Sequence, residues 1–153
     1  MDPSFAVTDL FGPVAEVYAA AGRLVSERPN GDLVSVQLRA ASGATGFVSA
    51  ILETPLYIGF RVFGSQGWAE ISNASHPDTP GPARLSVQYR DGSRETKEYA
   101  WENAVLLNLE AFARAICGTS PYPFTDEQKV GNAAVLEAVG QSVASGAPVR
   151  IQN

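Results

Sequence analysis

The period of the apolar residues changes once along this chain, and that change fixes the fold class. Between Asp32 and Ala100 they recur mostly every second residue in short runs, the spacing of half-buried strands. Beyond Glu102 they recur every third or fourth residue, the spacing of an amphipathic helix.

In "DLVSVQLRA", Leu33, Ser35, Gln37 and Arg39 alternate with Val34, Val36, Leu38 and Ala40, which predicts one polar and one buried face. "TGFVSAILET" continues as a second strand, so Ala41 to Ala44 is expected to be a hairpin loop. "LYIGFRVFG" and "GWAEIS" read as two further strands. "ARLSVQYRDGSRETKEYA" reads as a hairpin in which Asp91-Gly92 supplies positive φ angles. The three prolines of "SNASHPDTPGPA" forbid a ladder there and predict a surface loop.

In "NAVLLNLEAFARAICG", Leu106, Leu109, Ala113 and Ile116 fall on one helical face, and Gly118 stands where a C-terminal cap is expected. After "SPYPF" a second helix opens with Thr125 as N-cap and Gln128 three residues on, a capping box. Asp126 and Glu127 lie in its first turn, where the helix dipole favours negative charge. Its expected buried stripe is Ala133, Leu136, Val139 and Val143, its end is Gly146, and "PVRI" reads as a closing strand. Hairpins first and helices last predict an α+β fold: a single domain spanning residues 1–153, with an open, mainly antiparallel sheet and helices packed on one face. The other face would then carry Tyr57, Phe60, Phe63, Trp68, Tyr89, Tyr99 and Trp101, a partly apolar surface suited to a partner or ligand.

The formal net charge is −5, with no basic block to offset it, which argues against nucleic acid or an anionic membrane as partner. No apolar run approaches the roughly 20 residues of a membrane span. Asp2, Asp9 and Glu16 near the start do not resemble a signal peptide. With one cysteine there is no intrachain disulfide, and a cytoplasmic setting is expected.

Candidate chemistry is sparse. "RVFGSQGWAEI" places two glycines three apart, but a dinucleotide fingerprint needs a preceding glycine and a following helix, and a P-loop needs Gly-Lys-Ser/Thr. The stretch reads as a sheet corner, so no dinucleotide site is expected in this chain. His76, the only histidine, sits in the proline-rich loop beside Asp78, and one histidine with one cysteine leaves no zinc site of the usual ligands. Cys117, at a helix end beside Ile116, reads as a core or near-core thiol rather than a nucleophile. Glu53, Glu70, Glu95, Glu98, Glu102 and Glu110 are scattered, and no two are set by spacing as an acid and base.

The order of the segments "DLFGPVAEVYA", "DLVSVQLRAASGATGFVSA", "RVFGSQGWAEI" and "LEAFARAICGTSPYPFTDEQKVGNAAVLEAVGQSVASGAPVRI" resembles the C-terminal domain of the Gfo/Idh/MocA oxidoreductase family, from about Asp9 to Ile151. "PFTDEQ" between its two helices carries most of the likeness. The resemblance implies an N-terminal Rossmann domain that holds NAD(P), no cofactor on this chain alone, and a sugar, inositol or related polyol as substrate. It also implies that the open sheet face packs against another subunit of a homo-oligomer. The family's His-x-x-Asp motif falls at the first residues. Asp2 is the candidate aspartate, Phe5 aligns equally well by its spacing to Gly12, and the histidine is not present. The expected function is the substrate-binding and oligomerisation domain of an NAD(P)-dependent oxidoreductase, inactive by itself. The alternative is a free-standing binding or assembly module that kept the scaffold and lost the enzyme.

Overall fold

The computed structural model describes residues 8–25, 27, 29, 31–76 and 78–151. They form two compact units, one of Met1–Thr54 with Phe124–Asn153 and one of Pro55–Pro123. The α+β class and the open antiparallel sheets are as the alternation predicts. The single expected sheet is, however, two sheets of four strands each, ordered β3-β2-β1-β8 and β4-β5-β6-β7.

In the first unit, β1 (Val14–Gly22), β2 (Leu33–Ala40), β3 (Thr45–Ile51) and the two-residue β8 (Val149–Arg150) are antiparallel neighbours. The pairs Val17–Leu38, Ala19–Val36 and Ala21–Val34 put Val17, Ala19 and Ala21 of β1 on one side with Val34, Val36 and Leu38 of β2. That side is the core: Val14, Val17, Ala19, Val36 and Leu38 are buried, joined by Val135 and Ala138 from the long helix. The polar set of β2 (Ser35, Gln37, Arg39) faces the other way, as its alternation required. Residues 41–44 make the predicted hairpin loop, with Gly43 at φ +90° and its N–H donating to Ala40 O. β1 itself was not among the strands expected from the alternation.

The long helix spans Asp126–Ser145 and packs across β1 and β8. Thr125 Oγ1 accepts from Gln128 N at 3.2 Å while Gln128 Oε1 accepts from Thr125 N at 2.9 Å, so the capping box forms as expected. Gly146 closes the helix in the left-handed conformation. Its buried face is Asn132, Val135, Ala138 and Ser142, not the stripe expected from the larger residues. Ala133 and Val143 are exposed, Leu136 is 54% exposed, and only Val139 touches the core. The helix has turned by about one residue because small side chains let it approach the sheet closely.

The second unit holds β4 (Ile58–Gly64), β5 (Gly67–Asn73), β6 (Ala83–Tyr89), β7 (Arg94–Tyr99) and a helix over Ala104–Ile116. In chain order this helix is α1 and the long one α2. Gly64 pairs with Gly67 across a two-residue turn, so "GSQG" is the sheet corner predicted. A Cβ on Gly67 would collide with the carbonyl of Gln88, which explains a glycine there. The β6–β7 turn differs in detail: only Gly92 has positive φ, and the Asp91 carboxylate instead accepts from Ser93 N and Oγ. α1 is capped at its start by Asn103 and at its end by Cys117, and Gly118 follows the cap in the left-handed conformation, with φ +68°. No residue of α1 is buried, and Ile116, expected in the core, is 70% exposed.

Candidate functional site

The polar face of the first sheet gathers charge from three strands. Glu16 on β1 accepts from Arg39 of β2 at 3.1 Å and from Arg150 of β8 at 3.4 Å. The register explains the meeting: Glu16 stands opposite Arg39 on one side and Arg150 on the other. The hydrogen bond from Arg39, helped by both guanidinium charges, holds the Glu16 carboxyl below its ordinary value. Glu16 is therefore an ionised acceptor at neutral pH and unsuited to donate a proton as a general acid. Tyr18, Gln37, Thr45 and Pro148 complete a cleft of about 260 Å³ around the Glu16–Arg39 pair.

A larger, mostly apolar hollow of about 710 Å³ lies at the start of α2, between Thr8, Pro13, Val130, Ala134 and Ile151. Gln128 Nε2 donates to Asp9 Oδ1 at 3.1 Å at its rim. The capping box already occupies amides of the helix N-terminus, and Asp126 and Glu127 sit in its first turn, so an anion finds little to attract it there.

In the second sheet the expected aromatic face divides. Register places Phe60, Tyr89 and Tyr99 on the side that carries Val62, Ile71, Leu85 and Val87. Phe63 and Trp68 lie on the opposite, charged side, where Arg61 and Arg94 stand 5.4 and 6.0 Å from the Trp68 ring. There Arg61 pairs with Glu70 at 2.8 Å and Arg84 with Glu98 at 2.9 Å. Tyr57 OH also donates to Glu70, at 3.3 Å. The two sides differ because the alternation of seven-residue strands sends every second aromatic the other way.

The residues singled out from the sequence are not brought together. Asp2 and Phe5 lie outside the described residues. His76 Nδ1 contacts the Asp78 carboxylate in an exposed loop, and that hydrogen bond, with one from Thr79, lowers the Asp78 pKa. Cys117 is exposed at the end of α1 rather than in a core, because the α1 face next to it is uncovered. Glu110 pairs with Arg114 one turn on, facing solvent. Among the described residues no group of three His, Cys, Asp or Glu side chains could hold a metal ion. No described helix is long and apolar enough to cross a membrane. The Glu16 cluster escaped the sequence reading because its members lie far apart in the chain; only the polar face of β2 hinted at it.

Residues 6–70 match the family described as GFO/IDH/MocA C-terminal domain, which bears out the resemblance in the sequence. No curated protein matches the chain in sequence. Among solved structures, a presumed NADPH-dependent oxidoreductase from Desulfitobacterium hafniense DCB-2 superposes over 97% of this chain with a TM-score of 0.80 and 19% identity. The aldose-aldose oxidoreductase from Caulobacter crescentus, solved with glycerol, covers 95% at TM-score 0.75 and 22% identity. The WlbA dehydrogenase from Bordetella pertussis, solved with NADH and UDP-GlcNAcA, covers 99% at TM-score 0.72 and 17% identity. At such identities the likeness is one of fold. The chain spans 45%, 44% and 43% of the lengths of these three proteins.

Proposed function

We propose that this chain, matched over residues 6–70 to the GFO/IDH/MocA C-terminal domain, is the substrate-binding and assembly domain of an NAD(P)-dependent oxidoreductase. The observation that carries the proposal is the fold likeness over nearly the whole chain to oxidoreductases more than twice its length. Hydride transfer belongs to the nicotinamide, and this chain's two glycine pairs spaced three apart, Gly43 with Gly46 and Gly64 with Gly67, both sit at β-hairpins rather than in a strand-turn-helix. The dinucleotide is therefore assigned to a separate Rossmann domain, and a sugar, inositol or related polyol hydroxyl to the substrate. Glycerol and a nucleotide sugar acid in two of the related structures agree with that substrate class. On this reading residues 1–153 serve as one domain of the enzyme, Asp2 is a candidate for the family's His-x-x-Asp aspartate with Phe5 aligned equally well, and the working compartment is the cytoplasm. The uncovered sheet faces would meet a second copy.

Isothermal titration of this chain with NADH and NADPH tests the assignment. No heat of binding in the micromolar range is expected, and clear micromolar affinity would show that the dinucleotide site is here after all. The coding sequence upstream of Met1 separates the enzyme from a free-standing assembly module. A contiguous frame for a glycine-rich strand-turn-helix supports the enzyme, and an in-frame stop supports the module.

A further inference from the structure

Among the described residues the two sheets have four edge strands, β3, β8, β4 and β7, and of these only β3 carries no charged residue. β7 ends the second sheet, and Arg94, Glu95, Lys97 and Glu98 load it with charge, the usual protection of an edge against pairing with other chains. β3 ends the first sheet with "TGFVSAI", seven residues without a charge or a proline. Its register with β2 runs unbroken from Leu33–Ile51 to Arg39–Thr45, so no bulge twists the edge away. Among the described residues no strand pairs with its outer side.

β3 is also poorly covered above and below. α2 crosses β1 and β8, leaving Ala50 exposed and Val48 only half-buried on the helix side. On the other side Phe47 is 78% and Ile51 51% exposed. Bare backbone N–H and C=O groups on one side, flanked by apolar side chains, recognise an extended strand. The neutrality of β3 selects among such strands: a second β3 brings no like charge against it, whereas β7 is built to refuse one.

We infer that β3 pairs antiparallel with β3 of a second copy about a two-fold axis, joining two four-stranded sheets into one of eight strands. Face must continue with face, so residues of the same parity stand opposite each other. A pairing centred on Val48 meets that condition. It sets Phe47 beside Ser49 of the partner subunit on the open side and the small Gly46 beside Ala50 of the partner subunit on the helix side. This edge contact is separate from the face contact proposed above, and each stands or falls alone.

Sedimentation velocity on the 153-residue chain, with NMR on a mixture of isotope-labelled and unlabelled protein, tests it. A dimer is expected whose intermolecular Hα–Hα contacts fall within β3. Ser49→Lys should raise its dissociation constant at least about tenfold while circular dichroism stays unchanged. Tyr18→Lys, on the sheet face away from the edge, should preserve the β3 contacts. A monomer at millimolar concentration, or a dimer without intermolecular contacts in β3, would overturn the inference.

Discussion

Ser142 offers the sharpest test of how α2 is held to its sheet. The side chain is fully buried; Oγ accepts from Ala19 N at 2.8 Å and donates to Ala147 O at 2.7 Å. β8 pairs with β1 only at Glu16 and Val17, so the amide of Ala19 lies beyond the end of that short strand and the serine takes the place of a missing ladder partner. In Ser142→Ala the buried Ala19 N–H loses its acceptor, a cost of about 1–3 kcal/mol. The Ala147 carbonyl belongs to an exposed residue and recovers a water bond, so it adds little. Alanine's better helix propensity returns about 0.5 kcal/mol. The net expectation is a loss of about 1–2.5 kcal/mol, read as a lower urea midpoint at unchanged m-value. Faster hydrogen exchange at Ala19 should accompany it. A loss under about 0.5 kcal/mol, the range of an ordinary surface change, would refute the capping argument. Unchanged exchange at Ala19 would do the same.

Other outcomes follow from the same structure. Gly67→Ala drives a Cβ into the Gln88 carbonyl and should cost about 2 kcal/mol in thermal unfolding, as expected for a strained backbone position. Leu38→Ala removes a side chain only 2% exposed and should cost about 2–5 kcal/mol, whereas Leu136→Ala, 54% exposed, should stay within about 0.5 kcal/mol. Equal losses at the two sites in chemical denaturation would restore the stripe read from the sequence. Glu16, Asp78, Asp91 and Asp126 all have lowered folded pKa values, chiefly through hydrogen bonds from Arg39, His76, Ser93 and Lys129 respectively. Their contribution to stability is thus present above the unfolded carboxylate value near 4 and is lost as pH falls through the folded values. Urea melts between about pH 2 and 6 should show that decline, and Glu16→Gln should make it shallower.

The elements whose signals are local were legible in the sequence. Thr125 with Gln128, Gly118, Gly146 and the Ala41–Ala44 loop each declare themselves within a few residues, because a cap or tight turn is satisfied by its own neighbours. The face of α2 was not legible, since hydrophobicity ranks Leu136 and Val143 above Ala138 and Ser142. Close helix–sheet approach selects small side chains instead. β1 was passed over because "VAEVYAAAG" is rich in alanine, a weak strand signal that three-dimensional pairing with β2 overrides. The Glu16 cluster is a product of topology: Glu16, Arg39 and Arg150 meet only when β8 returns beside β1.

The distribution of the core bears on the proposed role. Among the described residues every buried hydrophobic side chain lies in β1, β2 or α2, and none lies in β4–β7 or α1. The first unit therefore carries a covered sheet face of its own. The second presents Phe60, Val62, Ile71, Leu85 and Val87 along one sheet side, while α1 exposes Val105, Leu106, Leu109, Phe112 and Ile116. A four-stranded sheet with no fully buried apolar residue gains little from the hydrophobic effect to offset its chain entropy. Contact with further protein would supply what that unit lacks, at the cost of ordering little that is not already hydrogen-bonded. On the function proposed above, such a division suits a domain whose first unit is a scaffold and whose second is completed by assembly.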